Sequence, residues 1–140
     1  MIILDTNVLS EVMRPEPDEA VANWLTAQHP ASLFVTTISQ AEILYGVALL
    51  PAGRRRDALD VEARAIFDVE FADRVLPLDR SAASAYATVV TARRTKGRPI
   101  SPFDAQIAAI TASRGAMLAT RNVKDFEDCG ISVLDPWSAG

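Results

Sequence analysis

The chain has 140 residues, 49% of them hydrophobic and 6% aromatic, with a formal net charge of −4 and a sequence pI near 4.9. That supplies one domain with an ordinary core, and the acidity excludes a protein that holds nucleic acid by bulk positive charge. No apolar run approaches the roughly 20 residues of a membrane span, Met1 to Asp5 lack a basic leader, and the single Cys129 can form no internal disulfide, so a cytoplasmic protein with a structural cysteine is expected.

Ile2 to Leu4 is a short apolar strand that stops at Asp5, Thr6 and Asn7, residues that favour turns and helix starts. Val8 to Met13 reads as a brief helix halted by the prolines at 15 and 17, and Asp18 caps a helix through about Gln28. Leu33 to Thr37 is a β-branched and aromatic strand; Ser39 and Glu42 then have capping-box spacing and open a helix to about Leu50. Pro51 to Gly53 break the chain before a long helical region from Arg54 to Asp73.

Val75 to Leu78 gives a third strand and Ser81 to Lys96 a helix that stops at Gly97. Ser101 has the chemistry of an N-cap and Pro102 suits the first turn of a helix ending at Gly115. Met117 to Thr120 is a fourth strand, Arg121 to Asp128 a polar loop with one helical turn, and Ile131 to Leu134 a fifth strand before the Pro136-Trp137 tail. Strands alternating with helices predict an α/β fold: one domain over 1–140, with a mostly parallel five-stranded sheet flanked by helices on both faces.

Two carboxylates sit where apolar residues belong. Asp104 shares a helical face with Ile107, Ala108 and Thr111, and Glu42 shares one with Ile38, Tyr45 and Leu49. Both have a plain reading as helix-capping acids, and Asp5 one as a turn former. Parallel sheets, however, bind ligands at the C-terminal edges of their strands, and this topology brings Asp5, Glu42 and Asp104 to that edge together. Three carboxylates there would repel by roughly 3 kcal/mol per pair at about 5 Å and an effective dielectric near 20. A cap returns only about 1 kcal/mol. The cluster makes sense if a cation neutralises it, and all-oxygen ligation suits Mg²⁺ or Mn²⁺. His29 stands alone, so no histidine pair is present for metal-free cleavage of RNA, and metal-activated water is the expected nucleophile.

Two basic clusters interrupt the acidity. Arg54, Arg55 and Arg56 read as a solvated helix face, whereas Arg93, Arg94, Lys96 and Arg98, just before the Asp104 helix, are better placed to meet phosphates. Arg98 and Arg121 are the expected phosphate contacts.

The segment from Met1 through Asp5 to Ser10, the Ser39 to Gly46 segment with Glu42, the Ser101 to Ala109 segment with Asp104, and Ala119 to Phe126 together resemble the PIN-domain ribonucleases, and within them the VapC/FitB-like toxins of type II toxin-antitoxin modules. The resemblance extends to the Asp135-Pro136-Trp137 tail. It implies Mg²⁺- or Mn²⁺-dependent endoribonuclease activity on single-stranded RNA, with Asp5, Glu42 and Asp104 as catalytic and metal-binding acids. Thr6, Asn122 and Asp125 are its supporting residues. Many members carry a fourth acid where this chain has Asn122, which leaves one tightly held cation and a weaker second site. A homodimer through the Ser81 to Arg94 helix, with Ala82, Ala85 and Thr88, is also implied. So is a cognate VapB/FitA-like antitoxin whose tail lies between the Val8 to Met13 helix and the region from Glu42 to Phe67, with an arginine among the three acids. Two rivals differ in kind: a receiver-like signalling domain, which expects paired acids after the first strand where only Asp5 stands, and a PIN-like binding module without catalysis, which would have lost one of the three acids.

Overall fold

The computed structural model describes Met1–Ser138, so residues 139 and 140 of the expected domain lie outside the described residues. Five strands, β1 (Ile2–Leu4), β2 (Leu33–Thr36), β3 (Val75–Leu76), β4 (Met117–Ala119) and β5 (Ser132–Leu134), form one sheet in the order β3-β2-β1-β4-β5. Every pairing is parallel, with Ile3 opposite Phe34 on one side and Leu118 on the other. The order reverses at β1, since the chain first builds outward through β2 and β3 and then returns to β4 and β5.

Successive strand residues face opposite sides, and the sequence supplies apolar groups for both. Leu4, Val35 and Ala119 pack with α1 (Thr6–Val12), α2 (Glu19–Ala27), α3 (Thr37–Ala48) and α4 (Arg54–Ala65) through Val8, Leu9, Val21, Ile43 and Ala63. Ile3, Leu76 and Leu118 face the opposite way, onto α5 (Arg80–Thr95) and α6 (Pro102–Ser113) through Ala82, Val89, Ile107 and Ile110. Among the described residues no helix is long and apolar enough to cross a membrane.

Several local expectations change. α3 begins three residues early: Thr36 is the cap, its hydroxyl accepting from the Ser39 N–H at 3.1 Å, so Ser39 and Glu42 form no capping box. Ser39 is buried and Glu42 is free for another partner. Nor does Glu42 interrupt a packed stripe, because Tyr45 and Leu49 are exposed. The long helical region breaks at Ile66, where a π-helical turn (Ile66–Glu70) turns Phe67 and Phe71 into the core. Of the three residues expected to favour a helix start, Asp5 is the one that caps α1.

Three residues of the second basic cluster, Arg93, Lys96 and Arg98, are engaged by partners within the chain. Arg93 is buried and donates to the carbonyls of Arg98 (2.7 Å), Asp125 (2.7 Å) and Glu127 (3.0 Å). Lys96 and Arg98 pair with Asp128, and Arg98 also with Glu127. Ala82 is buried in its own domain, which removes it from any surface on α5 and leaves Ala83, Ser84, Ala87 and Thr88 exposed there.

Candidate active site

A cavity of about 510 Å³ opens at the C-terminal edge of the sheet, where β1 and β4 lie side by side and the strand order reverses, and Asp5, Glu42 and Asp104 all line it. Each acid arrives for a local reason. Asp5 is the residue at which β1 becomes α1: its N–H still pairs with the Ala119 carbonyl of β4 at 2.9 Å, while its Oδ1 accepts from the Thr6 N–H at 2.8 Å. Asp104 sits in the first turn of α6, whose cap is the Ser101 hydroxyl, accepting from the Asp104 N–H at 3.3 Å. Its neighbours along that face, Ile107, Ala108 and Thr111, are fully buried, so the carboxylate is carried inward as the periodicity predicts.

Asp5 is held from several directions. Its Oδ2 accepts from the Thr120 hydroxyl at 2.7 Å and from Asn7 Nδ2 at 3.4 Å, and Asn7 Nδ2 also lies 3.2 Å from the Thr120 oxygen. The Asn122 N–H donates to that same oxygen at 3.1 Å, and the Arg121 N–H to Asn7 Oδ1 at 3.2 Å. Backbone and side-chain bonds thus tie the loop after β4 to the loop after β1.

Thr6 serves two acids, Asp5 through its N–H and Glu42 through its side chain. Its hydroxyl donates to Glu42 Oε1 at 2.8 Å and lies 2.9 Å from the Ser39 oxygen. A hydroxyl has one proton, so Ser39 donates to Thr6 and Thr6 to Glu42. The buried Ser39 therefore orients Glu42 through Thr6.

Burial pushes the Asp5 carboxyl up to about 6, against the bonds from Thr120 and Thr6 that lower it, and the charges of Asp104 and Glu42 add to the rise. Asp104 is also raised, first by burial and then by the nearby charge of Asp125, with the Ser101 bond and Arg93 acting the other way. Like charges have been gathered at a partly desolvated site, which costs stability, and pKa perturbations of this kind cluster at functional sites.

Asn122 and Arg121 line the cavity as expected, and Arg121 lies over the Trp137 ring at 5.1 Å. Asp125 and Arg98 do not line it. The cavity-lining residues to which the sequence alone gives no role are Asn7, Ser10, Glu11, Arg14 and Trp137. Asn7 and Thr120 stand beside recognised positions and are legible as polar residues at strand ends; nothing in the sequence signals that Glu11 is buried.

Among the described residues no three acid, His or Cys side chains close into a ready-made cluster. Three carboxylates facing one roomy cavity, with all-oxygen donors, fit a hard cation that keeps part of its water shell, as Mg²⁺ does.

The model of the family described as PIN domain matches residues 2–130. The chain is 41% identical over 139 residues to the plasmid stability protein StbB of Pseudomonas syringae pv. tomato, covering 99% of this chain and 100% of that one. It is 39% identical over 137 residues to the VapC ribonuclease Y4jK of Sinorhizobium fredii, covering 98% of each. Its fold superimposes with a TM-score of 0.93 and 35% identity on a chain of a solved FitAB complex bound to a DNA fragment, covering 100% of this chain and 98% of that one. The chain belongs to the PIN-domain family, with VapC and FitB toxins among its full-length homologues.

Proposed function

We propose that the protein is a Mg²⁺- or Mn²⁺-dependent endoribonuclease toxin that cleaves single-stranded RNA by attack of water on the phosphodiester. The observation that carries this reading is the convergence of Asp5, Glu42 and Asp104 on one cavity at the β1/β4 switch point. Asp5, Asp104 and, partly through water, Glu42 would hold the cation, with Asn122 offering a carbonyl oxygen to a weaker second site. When bound, the cation supplies neutralisation of phosphate charge and makes water a stronger acid. The chain's own residues do the rest. Thr120, Asn7 and the Thr6 N–H fix the Asp5 carboxylate, and the Ser39–Thr6 relay fixes Glu42, whose second oxygen is left to accept a proton or orient water.

A second cavity supports the reading of inhibition by an antitoxin. A groove of about 770 Å³ runs between α1, α3 and α4, with apolar walls at Met13, Ile43, Val47, Leu50 and Leu59. Thr6, Ser10, Arg14 and Glu42 line both the groove and the acid cavity, so an apolar peptide seated in the groove reaches the carboxylates. The related FitAB and VapBC structures are two-component complexes, which supports a VapB/FitA-like occupant. An arginine of that peptide among Asp5, Glu42 and Asp104 would substitute for the cation's charge. Replacing it should restore cleavage while the apolar contacts persist. A homodimer would use the exposed side of α5, at Ala83, Ser84, Ala87 and Thr88.

The test is cleavage of a single-stranded RNA with Mg²⁺, with EDTA, and by Asp5→Asn. Loss of activity in the last two supports the reading, and undiminished cleavage in EDTA overturns it.

A further inference from the structure

Four carboxylates line the acid cavity, Asp5, Glu11, Glu42 and Asp104, against two guanidiniums, Arg14 and Arg121. The fourth acid adds negative charge where a polyanion is to bind, which is unfavourable unless it has another task. Its contacts name that task. Glu11 is buried, and its two oxygens both accept from Arg14 Nη1, at 3.2 and 3.0 Å, while Oε2 also accepts from the Asp18 N–H at 2.9 Å. The Arg14 side chain is 63% exposed, against 7% for Glu11. One nitrogen is thus fastened to a buried anchor, and the Nε and Nη2 edge of the guanidinium has no hydrogen-bond partner among the described residues.

Arg121 is fixed differently. Its guanidinium lies 5.1 Å from the centroid of the Trp137 ring, and Trp137 packs against the core cluster beneath α1 to α4. Both arginines line the acid cavity, and each is anchored by its own chain instead of moving freely. Pre-set guanidiniums lose little entropy on meeting an anion, and their planar forks match phosphate oxygens.

We propose that Arg14 and Arg121 are a phosphate clamp at the acid cavity, holding backbone phosphates of single-stranded RNA that flank the one facing Asp5, Glu42 and Asp104, and that Glu11 is the positioning residue for Arg14. This rests on the nuclease reading above for its substrate class. The cavity's formal charge of four carboxylates against two guanidiniums is −2, which one divalent cation balances, so the clamp need only bind the RNA and not neutralise the acids. In an acidic chain these two residues supply the local attraction that the whole surface lacks.

The experiment measures binding of a labelled single-stranded RNA of about 12 nucleotides at fixed MgCl₂ across a KCl series, with Glu42→Gln as the common background so that the RNA stays intact. On that background, Arg14→Ala and Arg121→Ala should each weaken binding by about tenfold and lower the slope of log affinity against log salt by roughly 0.7. Arg98→Ala, an exposed ion-paired arginine outside the cavity, should change neither. In the active chain, Glu11→Gln should raise KM and leave kcat near wild type. Wild-type slopes in Arg14→Ala and Arg121→Ala, or no RNA binding by the background protein at low salt, overturn the clamp. Cleavage is scored separately: a chain that cleaves RNA but keeps its salt slope without Arg14 and Arg121 refutes the clamp and leaves the nuclease standing. Arginine-dependent binding with no cleavage does the reverse.

Discussion

The Thr120 hydroxyl donates to Asp5 Oδ2 across 2.7 Å, joining residues 115 positions apart at the ends of the two strands between which the acid cavity opens. Thr120 has no exposure to solvent, and its oxygen also accepts from the Asn122 N–H. Removing the hydroxyl therefore leaves a buried carboxylate and a loop N–H short of partners at once. Thr120→Val should lower stability by about 1 to 3 kcal/mol in urea melts and reduce cleavage, while Thr120→Ser should recover most of both. Unchanged melts for the valine variant would contradict the role assigned to that bond.

Asp5 binds its proton more tightly folded, at about 6, than unfolded, near 3.8. The metal-free protein should therefore be stabilised most below pH 3.8 by this group and lose that contribution as pH rises through about 6. The loss is on the order of 3 kcal/mol. An asparagine at this position cannot ionise, so Asp5→Asn should flatten this part of the pH–stability curve and melt at or above wild type at pH 7 in EDTA. Adding Mg²⁺ should raise the melting temperature of wild type at pH 7 and leave the variant nearly unmoved. A lower metal-free melting temperature for the variant would sink the account of Asp5 as a strained acid.

Thr6 acts through Glu42. Thr6→Val deletes the donor to Glu42 Oε1 and keeps the shape, so the fold should persist with a cost of about 1 kcal/mol. kcat should fall by about tenfold or more, with Thr6→Ser close to wild type. Equal kcat in Thr6→Val and wild type would show that the relay from Ser39 is idle.

Gly46 lies inside α3 at the apolar groove between α1, α3 and α4, and a Cβ placed there would meet nothing within 4 Å. The chain's own packing does not require glycine, and a mid-helix glycine costs roughly 0.5 to 1 kcal/mol relative to alanine. Gly46→Ala should stabilise the isolated protein by about that much, whereas Gly46→Phe should fold and cleave RNA yet bind the antitoxin poorly. Calorimetry giving equal antitoxin affinity for Gly46→Phe and wild type would remove the groove from the partner's path.

Much of the site was legible in the chain because strand ends and helix starts carry their own signals. The apolar run to Leu4 breaking at Asp5, and the Ser101-Pro102 start before Asp104, place both acids at the correct edge, and the Ile107, Ala108, Thr111 face gives Asp104 its inward direction. Glu42 was found for a wrong local reason. Thr36 and Ser39 are both competent caps, and only the extended backbone at Thr36 decides between them. The buried roles of Arg93 and Glu11 were illegible, since a charged residue reads as surface until its partners, here carbonyls more than 30 positions away and a guanidinium at the cavity, are in place. Arg98 was misplaced for the same reason: Glu127 and Asp128 approach it only after β4 and the following turn have formed.

The most direct measurement is the end chemistry of the RNA fragments released by the purified protein in Mg²⁺, set against Asp104→Asn. Water attack within the Asp5, Glu42 and Asp104 cavity predicts 5′-phosphate and 3′-hydroxyl ends, no fragments from the variant and none in EDTA. Fragments ending in 2′,3′-cyclic phosphate, or the same fragments from Asp104→Asn, would contradict it.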